Sequence, residues 1–207
     1  MPHCPGRANW MAHPQALASL LAGDGDLARR TRAWLADAGS MTLKLKARTD
    51  DFSVRLLRQR PGPILADEHA ALGVAARSRV VERDVILHCG GRPVVFGHTV
   101  LSTASVKSDW PFFSKLGTTP LGANLFFDPL VARSPIFYAR LQAKHPLMRR
   151  IAAALPDEAI PTALFARRSL FSRRGGVLMV TDVFLPALGA LIRPEPGVGK
   201  RFENLKD

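Results

Sequence analysis

Two charged side chains stand where half-buried strands should be dry. In a β-strand, alternate residues share a face. Arg79–Cys89 is rich in β-branched residues, and one face carries Val81, Arg83, Val85, Leu87 and Cys89. Arg79 lies at the strand's start and reaches water, but Arg83 is held between Val81 and Val85. Val177–Pro186 repeats the pattern with the opposite sign: Leu178, Val180, Asp182, Phe184 and Pro186 share a face. Removing a charge from water is unfavourable unless something answers it. Two explanations are open at this level. Arg83 and Asp182 form a structural ion pair between hairpins, or both face a small polar ligand. In the second case the guanidinium would grip a carboxylate through two charge-assisted bonds. The carboxylate would accept from a hydroxyl or move its proton.

Two hairpins must position these residues. Arg79–Cys89 and Pro93–Thr103 flank Gly90-Gly91, and Thr162–Arg174 and Val177–Leu185 flank Gly175-Gly176. Paired glycines suit tight turns that need positive φ. Counting back from these turns sets His98 opposite Arg83 and Ser169 opposite Asp182. Phe52–Arg60 reads as another strand, broken by Pro61-Gly62-Pro63. Gln15–Ala22 and Leu27–Ala38 have helical spacing. Ser40 can cap a short helix to about Ala47, and Asp67–Leu72 reads as a helical turn. From Val106 to about Leu155, short helices and loops are expected. The fold class is α+β: a single antiparallel sheet of about six strands, with helices covering one face. Residues 1–13 read as a loose leader, 14–186 as one domain and 187–207 as an extended tail.

Composition narrows the functional classes. The 207 residues suit one domain with its own core. Apolar runs stop short of membrane-spanning length, so no stable membrane insertion is expected. The N-terminus lacks the layout of a secretory signal, which makes the expected location cytoplasmic. Net charge is +12, which attracts anions of any size. The charge is dispersed, and no helix-turn-helix, zinc-finger spacing or aromatic–arginine stripe accompanies it, so nucleic acid is not the expected partner. The six histidines are scattered, and the two cysteines, Cys4 and Cys89, make no metal set. No phosphate-binding glycine loop or G-x-S-x-G elbow is present.

Four segments resemble the chorismate–pyruvate lyase family. They are Trp34-Leu35 with Gly39-Ser40-Met41-Thr42; Glu82 to Cys89; Leu116 to Gly122 with Leu125-Phe126; and Arg167-Arg168-Ser169 with Thr181 to Pro186. The resemblance runs from about Trp34 to Pro186. It implies helical flaps closing over a buried aromatic-acid site, with chorismate as substrate, 4-hydroxybenzoate and pyruvate as products, and no metal or organic cofactor. That reaction is the first committed step of ubiquinone synthesis, and a monomer is the family expectation. Arg83 matches the arginine that binds the ring carboxylate, and Met41 and Leu121 match positions whose backbone N–H groups help hold it. Asp182 matches the acidic residue that meets the 4-hydroxyl, usually Glu in the family. His98 stands where the family usually has Arg and is a further candidate for the substrate site. Arg167 or Arg168 would hold the enolpyruvyl carboxylate. Arg168 is preferred because it shares a face with Leu164, Ala166 and Leu170. A related sheet also serves effector domains of transcription regulators, so a binding-only module is the alternative.

Overall fold

The structure is a computed structural model that describes residues 7–12, 14–22 and 31–191. Among these residues lie seven strands: β1 (Phe52–Pro63), β2 (Arg79–Cys89), β3 (Arg92–Ser102), β4 (Ala132–Arg133), β5 (Phe137–Gln142), β6 (Ala163–Arg173) and β7 (Gly176–Phe184). They form one antiparallel sheet in the order β1-β2-β3-β7-β6-β4, with β5 also paired to β6. The helices are α1 (Pro14–Leu21), α2 (Met41–Lys46), α3 (His69–Leu72), α4 (Thr103–Ser108), α5 (Gly122–Phe126) and α6 (Pro146–Ala154). Short 3-10 turns occupy Pro111–Lys115 and Pro186–Ala190. The α+β class and the single antiparallel sheet agree with expectation. The extra strands β4 and β5 come from the stretch read as helices and loops.

Both faces of the sheet are covered, not one. On one face, Met41 and Leu45 of α2 pack with Val85, Leu87, Val95, Phe165 and Phe184. On the other, α6 places Leu147, Met148 and Ile151 at helical spacing against Ile86, Phe96 and Val183. His145 caps α6 by accepting from Leu147 N–H at 3.2 Å, and Pro146 occupies the first turn, where its missing N–H is harmless. Burial on both faces removes the apolar–polar alternation that would otherwise say which side of each strand is wet.

Several local expectations shift for identifiable reasons. Pro61-Gly62-Pro63 does not break β1, which continues through it as the sheet's edge, where a missing N–H goes unused. The Cβ that Gly62 lacks would fall 2.1 Å from Glu82 Oε1, so glycine leaves room for the Glu82 side chain as it stands. Gly90 and Gly91 form the first turn, with φ of 56° and 70°. The second turn is Arg174-Gly175, with φ of 51° and 95°, and not Gly175-Gly176. Gly176 already belongs to β7, paired with Arg173, and Asp109 lies where its Cβ would be. Leader residues 7–12 are attached to the sheet. Met11 exchanges backbone hydrogen bonds with Tyr138 at 3.0 and 2.8 Å, and Trp10 donates to Asp67 at 2.7 Å. At the other end, Leu188 is buried in the core. The rest of the leader and tail readings, residues 1–6, 13 and 192–207, lies outside the described residues, as does the 23–30 part of the helical readings.

Candidate functional site

The register of four strands builds the site. One row across the sheet runs Val85, Gly97, Asp182 and Arg167, on β2, β3, β7 and β6. The next row runs Arg83, Thr99, Val180 and Ser169. Arg83 and Asp182 therefore share a face but stand on strands separated by β3 and one row apart, about 12 Å apart at the backbone. They flank a common neighbour instead of projecting from adjacent strands, and no ion pair joins them. Gly97, between them, contributes no side chain. The result is a cavity of about 690 Å³ counting its mouth, floored by these strands. Ser40 to Thr42 wall one side, and Pro120, Leu121, Gly122, Leu125 and Phe126 wall another. The two walls touch closely, since a Cβ on Gly122 would fall 2.6 Å from Ser40 Oγ.

Arg83 is 2% exposed. Its Nη2 donates to the carbonyls of Gly117 at 2.9 Å and Thr119 at 3.1 Å, tying the segment before α5 to the sheet. Nε has no partner and is buried. No described carboxylate stabilises the charge. Burial alone pushes its pKa down to about 10, which leaves it protonated at neutral pH. A buried cation in a cavity wall with an unpaired donor is chemistry that an anion would satisfy.

Asp182 pairs with Arg167, whose Nε lies 3.1 Å from Asp182 Oδ2. The turn shift explains why Asp182 faces Arg167 and not Ser169. The displacement is two residues, so Asp182 keeps its face. Nη1 of Arg167 donates to the carbonyls of Trp34 and Asp37. Arg133, which the sequence reading passed over, enters from β4 and lines the same cavity. Its Nε donates to Ser169 Oγ at 3.0 Å, and its Nη1 to Ala38 O. The signal for Arg133 was absent because a two-residue strand has no periodicity to read.

Met41 and Leu121 both line the cavity. Met41 is the first residue of α2, and Leu121 immediately precedes α5. Backbone N–H groups at helix starts have no intrahelical acceptor. Ser40 caps α2 by accepting from Leu43 N–H at 3.4 Å, leaving the Met41 amide outside that bond.

His98 lies outside the cavity, and Arg168 lines it but sends its guanidinium to the far face. A bulge between Leu87 and His88 inserts Val94, moves the register by one residue and pairs His98 with Asp84, not Arg83. Pro93, which has no N–H to give, stands at that bulge. One residue of shift turns His98 to the far face. There it is 0% exposed, with Nδ1 2.5 Å from Asp84 Oδ1 and Nε2 3.0 Å from Glu68 Oε1. The Nε2–Glu68 approach is an ion-pair distance off the hydrogen-bond axis. Arg58 and Arg150 each bridge Asp84 and Glu82 on the same face. Arg168 also points that way. Its Nη1 donates to Asp67 O at 2.9 Å, and its guanidinium lies 4.2 Å from the Trp10 ring centroid.

Burial opposes charging His98, but Glu68 and Asp84 overcome it and raise its pKa to about 10. Its unfolded value is 6.5, so protonated His98 contributes its full stability below pH 6.5. That contribution is lost as pH rises through about 10. The melting-temperature difference between the unaltered protein and His98→Gln should therefore shrink steadily from pH 6.5 to about 10. A difference that stays constant in thermal melts across that window would show that His98 is not held as a cation.

Comparison with known proteins adds to this geometry. Residues 18–190 match the chorismate lyase family. A probable chorismate pyruvate-lyase of Cupriavidus pinatubonensis is 39% identical over 196 residues, covering 95% of this chain and 96% of its own. One from Cupriavidus metallidurans is 41% identical, covering 91% and 85%. One from Ralstonia nicotianae is 43% identical, covering 79% and 84%. Among solved structures, the PhnF C-terminal domain aligns with a TM-score of 0.50 at 15% identity, over 69% of this chain and 86% of that one. At that identity the likeness is one of fold.

Proposed function

The chain belongs to the chorismate lyase family, and on that premise we propose that it converts chorismate to 4-hydroxybenzoate and pyruvate. The observation that carries this reading is Arg83: a buried guanidinium with no carboxylate partner among the described residues, its Nε unbonded, lining a cavity that also holds Asp182. A ring acid with a hydroxyl at its opposite end supplies the carboxylate that Arg83 lacks and a donor to Asp182.

In this reading Arg83 takes the ring carboxylate, with the Met41 and Leu121 amides beside it. Asp182, oriented by Arg167, meets the 4-hydroxyl. The ring C–O bond to the enolpyruvyl group breaks. The proton on the hydroxyl-bearing carbon passes to the enolpyruvyl methylene, directly or through a protein group. The methylene becomes the methyl of pyruvate, and the ring becomes aromatic. Aromatisation makes the reaction downhill, so the protein's task is largely to hold the reactive pose and exclude water. The same proposal makes this the first committed step of ubiquinone synthesis.

Incubation with chorismate tests the reading. The expected result is 4-hydroxybenzoate absorbance appearing in step with pyruvate. Tight binding of chorismate without either product would instead support the binding-only alternative, a ligand-sensing module on the same fold.

A further inference from the structure

We propose that Arg133 binds the second carboxylate of the substrate, the one on the enolpyruvyl ether. This rests on the reading of chorismate as substrate and names a residue that the family resemblance did not.

The charges in the cavity motivate it. Arg168 lines the cavity but directs its guanidinium to the far face, as described above. Among the described residues that leaves Arg83, Arg133 and Arg167 facing the single lining carboxylate of Asp182, an excess of two positive charges. The excess matches a dianion. Arg83 is placed for one carboxylate. Arg167 is already engaged by Asp182 and by the carbonyls of Trp34 and Asp37. Arg133 remains. Its Nε and Nη1 are bonded to neutral acceptors, and its Nη2 has no hydrogen-bond partner among the described residues. Its guanidinium lies 5.2 Å from the Phe126 ring centroid and 5.4 Å from that of Phe171. These contacts fix its plane without neutralising it.

Position also fits. Arg83 enters from β2, while Arg133 enters from β4, beyond β6 on the side of Asp182. A substrate with its ring carboxylate on Arg83 and its 4-hydroxyl at Asp182 would carry the neighbouring ether side chain toward β6 and β4. Burial and the nearby charge of Arg167 weigh against a protonated Arg133, and Asp182, with smaller help from Tyr138 and Asp37, offsets them only in part, so an anion beside it would relieve what is left.

The test compares a dianion with a monoanion. Arg133→Gln should lower kcat/KM for chorismate by roughly 10- to 100-fold, the effect of losing a charged hydrogen bond. Its calorimetric Kd for 4-hydroxybenzoate, which lacks the second carboxylate, should stay at the unaltered value. Equal losses for both ligands, or no loss for chorismate, would overturn the assignment. Should Arg133→Gln fail to fold, Arg133→Lys keeps the charge but not the planar fork, and the same selective loss for chorismate is expected of it. If the unaltered protein makes no 4-hydroxybenzoate, the functional reading fails. If it does and the Arg133 variants are indifferent, only this assignment fails.

Discussion

Replacing Arg83 by methionine should lower kcat/KM for chorismate about a thousandfold while leaving the melting temperature close to its original value. The first effect follows from burial. A desolvated guanidinium facing a substrate carboxylate loses about 4 kcal/mol of interaction when truncated, and each 1.4 kcal/mol is tenfold. The second follows from the missing partner. Arg83 carries the penalty of burial with no described carboxylate to offset it, so removing the charge relieves the folded state. Against that stand the lost bonds to Gly117 O and Thr119 O, worth about 1.5 kcal/mol each for a charged donor. The two effects about cancel. Had Arg83 been half of a structural ion pair, its loss would destabilise the fold by roughly 3–5 kcal/mol. Kinetics and a thermal melt on one variant therefore separate a ligand-binding Arg83 from a structural one.

Asp182→Asn should reduce kcat about a hundredfold, the scale of losing a positioned acid–base or charge-assisted contact to the reacting hydroxyl. The amide can still accept from Arg167 Nε, so the fold should survive with a loss of roughly 1–3 kcal/mol for the weakened charged bond. Asp182→Glu, which restores the residue usual in the family, should keep most of the rate. A purely structural Asp182 would give a different outcome: a lower melting temperature in the asparagine variant with kcat unchanged.

The way these residues became visible explains what was legible in the sequence. Parity depends only on a segment being a strand, so Arg83 and Asp182 stood out from alternation alone. The second turn lies one residue earlier than the glycines suggest, which moves the register by two and leaves Asp182 on its face. The bulge at Leu87 and His88 moves the first hairpin by one, and one residue suffices to send His98 to the opposite side. Nothing in the spacing marks that bulge except Pro93, whose missing N–H is an ambiguous sign. Parity groups Arg168 with Leu164, Ala166 and Leu170, but α6 and the Asp67–Glu68 segment cover that face, opposite the cavity. With both faces apolar, parity groups residues without saying which group meets the cavity. Arg133 depends on a two-residue strand whose place beside β6 is set by tertiary pairing. No local pattern could have shown it.

A crystal structure of the protein with 4-hydroxybenzoate would test the central assignment most directly. The expected result is one product molecule over Gly97, its carboxylate within hydrogen-bond distance of the Arg83 guanidinium and the Met41 and Leu121 amides, and its hydroxyl at Asp182. Product bound with its carboxylate away from Arg83, or bound only outside this cavity, would contradict it.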